Sequence, residues 1–308
     1  MSLTRLNLPN GFINRGSMNL LGAGELFTTG NVYYVDSVRG SDGNLGTDPD
    51  FPKASIDNAV SSCVADQGDI IVAMPNHVET VIAAAGLDLD IAGITLIGLG
   101  SGSNRPQINF TTATTADMDV GAADITMINF LFTGGVDALV CPIDINSDDF
   151  SLINCEYRDV TGSVEEDGIR VNAARVKIQD FEYAGSISTG TNAAIVLGTE
   201  ADSFVLEGFR IDGNFSSAVL YGNGSSENIK IANGYLRTRN AADIAIDMHA
   251  DTTGDIGPDI YIRIQDDTTN ITEAVDSATN CQFFDPIMIV NADGERGLQW
   301  NEAVSADA

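Results

Sequence analysis

The chain has 308 residues, of which 44% are apolar and 19% charged, with a mean hydropathy of +0.04. That is enough apolar material for one long domain or two ordinary ones, and it excludes a disordered chain. Fifteen Lys and Arg stand against 44 Asp and Glu, a net charge of −29; such a surface repels nucleic acid and anionic membrane alike, so nucleic acid is excluded as a partner.

Only three residues are lysine (Lys53, Lys177 and Lys230), and Asp outnumbers Glu by 32 to 12. This balance resembles the surface of a protein adapted to high salt, where screening shortens the range of self-repulsion. No run of 18 apolar residues occurs, so no membrane insertion is expected. The opening MSLTRLNLPNGFINRG has neither the apolar stretch nor the small-residue cleavage site of a secretory signal, which predicts synthesis in a cytoplasm. Cys63, Cys141, Cys155 and Cys281 show no CxxC and no metal-ligand spacing, and are expected to be buried structural thiols.

In chain order, residues 1–30 are rich in Gly and Asn without periodicity and read as a separate arm. The next signal is a helix over 55–64: Ser55 can cap it, and Ile56, Ala59, Val60, Cys63 and Val64 then fall on one apolar stripe. From Ile70 onward the chain reads as short β-branched strands separated by Gly, Asn, Asp and Thr. No second helix is long enough for a βαβ crossover, which excludes a doubly wound sheet.

Internal repetition organises those strands. Segments beginning at Ile125, Phe150, Val176, Phe204 and Ile229 superpose as inward, outward, inward, spacer, turn, inward, outward, inward, and further anchors are placed at Ile70, Ile94 and Ile260. Asn129, Asn154, Asp180, Gly208 and Asn233 occupy the turn, residues that tolerate left-handed backbone and can stack as an amide ladder. Phe130, Cys155, Phe181 and Phe209 should stack inside. A preceding strand is read at Ile143/Ile145, Ile169/Val171, Ile195/Leu197, Val219/Tyr221 and Ile244/Ile246. A period of about 25 residues made only of strands and turns predicts a parallel β-helix of about eight coils, one strand per sheet per coil. The helix is expected to cover the first coil, and an irregular tail over 286–308 to guard the other end, so that 31–285 form the solenoid.

Val32-Tyr-Tyr-Val-Asp36, Gly40-Ser-Asp-Gly-Asn44, Gly46-Thr47, Pro52 and Gly68-Asp-Ile-Ile-Val72 resemble the N-terminal signature of pectate-lyase-like right-handed β-helix proteins. The continuation, Pro75-Asn-His-Val-Glu-Thr80, Ala85-Gly86, Leu87-Asp-Leu-Asp90, Gly98-Leu-Gly100 and Arg105-Pro106, is similar to β-helix structural proteins of tailed phages and related viruses, with Asn76 at the usual glycine. The resemblance implies an all-β, single-stranded, right-handed parallel β-helix, a virion location and a homotrimer. It carries no activity: the aspartate cluster, Gly-His-Gly and Arg-Ile-Lys elements of polygalacturonase-like hydrolases are absent, and the calcium-binding carboxylates with a basic residue of pectate lyases are not found in full.

One polar face remains as a candidate site. Six residues after each anchor lie Glu156, Glu182, Arg210 and Tyr235, and eight after lie Arg158, Asp212 and Arg237, stacked on successive coils. Glu156 and Glu182, one coil apart, match the roughly 5 to 5.5 Å carboxyl spacing of retaining glycosidases and are the candidate catalytic pair. Arg158, Arg210, Asp212, Tyr235 and Arg237 are the candidate glycan-binding residues. The alternative is a solvated face of alternating charges, with Glu182 and Arg210 as an exposed pair worth under about 1 kcal/mol.

No metal site is read. Asp148-Asp149, Glu165-Glu166-Asp167 and Asp266-Asp267 are ordinary turn formers that Ca2+ could bridge, but no EF-hand spacing occurs, and from Asp42 the twelfth position is Lys53 rather than Glu. His77 and His249 are the only histidines, and His77 with Glu79 is expected to be structural. GLGSGSNRP at 98–106 follows a strand without opening a helix and is no phosphate loop. The reading is therefore a virion structural protein, a capsid decoration or spike contacting major capsid or tail proteins through its arm. The competing reading is a tailspike that binds or cleaves host surface glycan as a hydrolase or lyase.

Overall fold

The computed structural model describes residues 28–186, 191–239, 244–264, 274–275, 280–284, 287–290 and 296–299. Three ladders of parallel strands run along it. The first contains Val32–Val35, Ile70–Ala73, Thr95–Gly98, Thr126–Ile128, Ser151–Ile153, Lys177–Gln179, the opening halves of Val205–Gly213 and Ile229–Thr238, Thr253–Ile256 and Asn280–Phe283. The second contains Val78–Val81, Gln107–Phe110, Leu131–Gly134, Glu156–Arg158, Glu182–Ala184, the closing halves of the same two long strands, Ile260–Ile264 and Ile287–Val290. The third contains Leu87–Asp88, Met118–Val120, Ile143–Ile145, Asp167–Val171, Ala193–Leu197, Leu220–Gly222 and Ile246–Asp247.

Each turn of chain visits the ladders in order, which makes an all-β parallel solenoid of about eight turns, consistent with right-handed coiling. Parallel neighbours need a crossover of a dozen or more residues, and here the rest of the coil supplies it in place of a helix. Inward residues form columns: Ile94, Ile125, Phe150, Val176, Phe204 and Ile229 are at most 1% exposed, and Phe130, Cys155, Phe181 and Phe209 lie beside them in the core. Each such side chain contributes about 1.5 to 3 kcal/mol of burial. The four cysteines are free thiols in this core; burial pushes Cys63 and Cys155 up to about 12, which leaves them chemically quiet.

Two columns of left-handed residues bend the chain. Asn129, Asn154, Asp180, Gly208 and Asn233 turn between the first and second ladders with φ of 49° to 68°, as their residue types predict. Side-chain hydrogen bonds tie part of this column, Asn154 Nδ2 donating to Asn129 Oδ1 at 3.2 Å and Asn233 Nδ2 to Glu207 Oε1 at 3.0 Å. The second column, Asp124, Asp149, Arg175, Ser203 and Asn228, precedes the first ladder, and Arg175 at φ 58° carries no sequence signal for it.

The helix spans only Ile56–Val60, shorter than the expected 55–64. Ser55 Oγ caps it by accepting from Asn58 N, and Ile56, Ala59 and Val60 join the core against the first and third ladders at the N-terminal end. Val64 falls off the stripe and is 48% exposed, because the carboxylate of Asp69 takes its N–H at 2.8 Å and turns the chain. Two anchors and one preceding strand shift. Asp69, not Ile70, is equivalent to Ile94, so Ile70 faces outward. Ile260 pairs with Gly234 in the second ladder, and Gly254 and Cys281 supply the first-ladder rungs instead. Leu220, rather than Val219, pairs with Ile195.

The segment after 286 is not wholly irregular. Ile287–Val290 continues the second ladder, and Arg296–Gln299 pairs antiparallel with it, reversing the strand direction at that end. Residues 1–27 of the arm and 300–308 of the tail lie outside the described residues. Among the described residues no helix is long and apolar enough to cross a membrane.

Candidate functional site

The second ladder brings the candidate residues together in the expected register. Glu156 pairs with Glu182, Glu182 with Arg210, Arg210 with Tyr235 and Tyr235 with Tyr261, while Asp212 pairs with Arg237 and Arg237 with Arg263. Arg158 lies opposite Ala184 in the same row. Alternation in a pleated strand points all of them away from the core.

The two glutamates stand in different surroundings. Glu156 is 8% exposed and held from two sides: Arg105 binds Oε2, and Arg158 binds Oε1 through Nε and Oε2 through Nη2 at 3.1 Å. That hydrogen bond raises the Arg158 guanidinium above its usual value. Glu182 is half-exposed and, among the described residues, meets the Arg210 Nε at 3.5 Å. The pair thus combines one carboxylate fixed by two guanidiniums with one open carboxylate.

Arg210 lies over the Tyr235 ring at 4.9 Å, and Tyr261 stacks on Tyr235 at 5.6 Å with 7° between planes. Arg210 comes from the preceding coil and Tyr261 from the following one, so both faces of Tyr235 are covered. Asp212 is buried beneath a bidentate clamp from Arg239, 2.5 Å and 2.7 Å, with Arg237 at 3.6 Å. The hydrogen bond to Asp212 raises Arg239. Arg105 and Arg239 were not legible as partners, because each reaches the site from outside the repeat.

The acidic doublets divide by environment. Asp148 and Asp149 are half-buried turn residues whose carboxylates bind Arg175, Asp149 at 2.7 Å through both Nε and Nη2; that hydrogen bonding holds Asp149 below its ordinary value. Asp167 is buried and pairs with Arg170 at 2.7 Å. Glu165 is no surface turn former: it is 1% exposed and accepts from the hydroxyls of Tyr157, at 3.3 Å, and Tyr183. Burial, then the charge of Asp159, raises its carboxyl to about 8. Asp266 and Asp267 lie outside the described residues. Among the described residues no three His, Cys, Asp or Glu side chains are grouped to hold a metal.

His77 is buried, and its Nε2 lies 3.0 Å from Glu79 Oε2, the same oxygen that accepts the Ile56 N–H at 2.7 Å. The pair ties the strand Val78–Val81 to the helix start. Asp42 Oδ1 accepts from Ala54 N, Ser55 N and Ser55 Oγ, and buried Lys53 donates to Asn58 Oδ1 at 2.7 Å. These residues of the N-terminal signature build its loop.

No family model matches the chain, and no curated protein matches it. Among solved structures, a rhamnogalacturonan lyase is similar at 14% identity and a TM-score of 0.48, with 78% of this chain and 75% of that one covered. An identity this low says nothing of activity.

Proposed function

We propose that the chain is a virion structural protein, a rigid β-helix rod that serves as a capsid decoration or spike, assembles as a homotrimer and contacts major capsid or tail proteins. One observation carries this reading: the buried member of the candidate acid pair, Glu156, is bound by both Arg105 and Arg158. A general acid or nucleophile needs a free oxygen facing substrate, whereas this carboxylate is spent binding Arg158 of its own strand and Arg105 from two coils away. The covered faces of Tyr235 support the same reading, since a sugar ring cannot stack where Arg210 and Tyr261 already lie. The resemblance of residues 75–106 to viral β-helix proteins supplies the virion context, and the acidic surface suits a particle in salt.

A second reading, a tailspike that binds or cleaves host surface glycan, is favoured by the half-exposed Glu182 and Arg210 between Glu156 and Tyr235 in the row. Light scattering at high salt, followed by incubation of the same sample with host surface polysaccharide, separates the two. A stable trimer that leaves polysaccharide length unchanged is expected. Chain shortening that disappears in Glu182→Gln would replace the structural reading with the enzymatic one.

A further inference from the structure

In a chain of net charge −29, cations are expected beside carboxylates. Among the described arginines, Arg263 and Arg296 are the two with no described carboxylate within 4.0 Å, and both are exposed. They stand in one outward row of the second ladder. Arg237 pairs with Arg263, Arg263 with Val290 and Val290 with Arg296, so three arginines and one valine follow one another at steps of about 4.8 Å. Like charges directly opposed across strands are unfavourable, and the acids of this face do not relieve them. Asp212 is clamped by Arg239 with Arg237 at 3.6 Å, and Glu182 meets Arg210.

An uncharged row runs beside it. Tyr235, Tyr261 and Met288 lie in register two residues before Arg237, Arg263 and Val290, with the tyrosine rings stacked at 5.6 Å and Met288 44% exposed. The last coils therefore present a cationic edge along an aromatic and apolar strip, on the same face whose earlier coils carry Glu156 and Glu182. At about 0.15 M salt the Debye length is about 8 Å, shorter than the roughly 10 Å between packed sheets. Carboxylates across the core are screened from this row, and its positive charge acts locally.

We infer that this row binds a linear anionic polysaccharide lying along the rod, its carboxylate or sulfate groups on Arg237, Arg263 and Arg296 and its sugar edges against Tyr261 and Met288. A guanidinium holds such groups through paired N–H donors. The spacing favours a sugar chain over an acidic peptide: a pyranose chain advances by about one ladder step per ring, whereas same-side residues of an extended peptide are about 6.8 Å apart. The inference rests on the glycan-binding reading of this ladder for the class of polymer. It places the contact at the last coils instead of at Glu182, and it includes no cleavage.

Biolayer interferometry of the full chain against dextran sulfate, carboxymethyl dextran and neutral dextran of matched length, at about 0.15 M KCl, tests it. Binding to a charged polymer and none to neutral dextran is expected, and the charged polymer that binds tells sulfate from carboxylate. The double variant Arg263→Gln, Arg296→Gln should weaken binding at least tenfold. The single variant Arg263→Gln should weaken it at least threefold and keeps the test valid if the double variant fails to fold. Lys177→Gln, Lys230→Gln removes the same charge from the first ladder and should change binding less than twofold. No binding to either charged polymer overturns the inference, and so do equal losses in the arginine and lysine variants. Binding that the arginine variants leave intact also overturns it while the glycan reading of Glu182 and Arg210 stands, to be decided by polysaccharide shortening. Tighter binding of poly-L-glutamate than of either charged dextran overturns it and assigns the row to an acidic protein segment.

Discussion

Glu165 makes the interior of this solenoid pH-sensitive. Its carboxyl sits at 1% exposure in an inward column, bridged to Leu139 and sharing its oxygens between Tyr157 and Tyr183, whose rings stack at 5.2 Å. Asp159 and Cys141 are the other titratable groups acting on this cluster. Burial raises Glu165 from 4.5 to about 8, so between those values the folded chain holds a proton that the unfolded chain has released. Stability therefore falls as pH rises: the contribution is whole below about pH 4.5 and gone above about pH 8, and its size is up to about 5 kcal/mol. Glu165→Gln keeps an acceptor for the tyrosines and removes the titration. Equilibrium urea unfolding of both proteins at pH 5 and pH 8.5 should show the parent losing several kcal/mol relative to the Gln variant at the higher pH. Two proteins that move in parallel to within about 1 kcal/mol would refute a protonated Glu165 in the core.

Four further outcomes follow from the geometry. Glu156→Gln should cost about 3 kcal/mol by leaving Arg105 and Arg158 without their carboxylate, whereas Glu182→Gln, half-exposed, should cost less than about 1 kcal/mol; equal costs in urea unfolding would contradict the different surroundings described for them. Asn154→Val, forced to φ 52° without its hydrogen bond to Asn129, should lose about 1 to 2 kcal/mol more than Asn154→Gly, read as a lower melting temperature. Gly234→Ala would place a Cβ 2.1 Å from Phe209 Cζ and should cost about 1 to 3 kcal/mol, partly recovered when Phe209→Leu is added. Melting temperature should climb from low salt to molar KCl, because Asp88, Asp119 and Asp144 stack in register, and Asp88 and Asp144 are raised by burial and also by neighbouring carboxylates; a flat response would remove salt adaptation as the reason for the acidic surface.

The sequence by itself determined the solenoid, its period, the left-handed Asn and Asp turns and the vertical register of Glu156, Glu182, Arg210 and Tyr235. It could do so because side chains alternate with a period of two within a strand, and a repeat of constant phase places equivalent residues one above another. Phase was lost where that regularity stops. At Asp69 a carboxylate replaces the inward aliphatic residue to bind Asn31 N and Val64 N, and at Ile260 the second half of a coil has the same β-branched look as the first. Only the tertiary structure decided which carboxylates are free. Arg105 reaches Glu156 from 51 residues away and Arg239 reaches Asp212 from 27, and Glu165, written as one of three consecutive acids, is drawn inside by two tyrosines from other strands. Ionisation and availability depend on what surrounds a side chain in space, and a local pattern cannot hold that information.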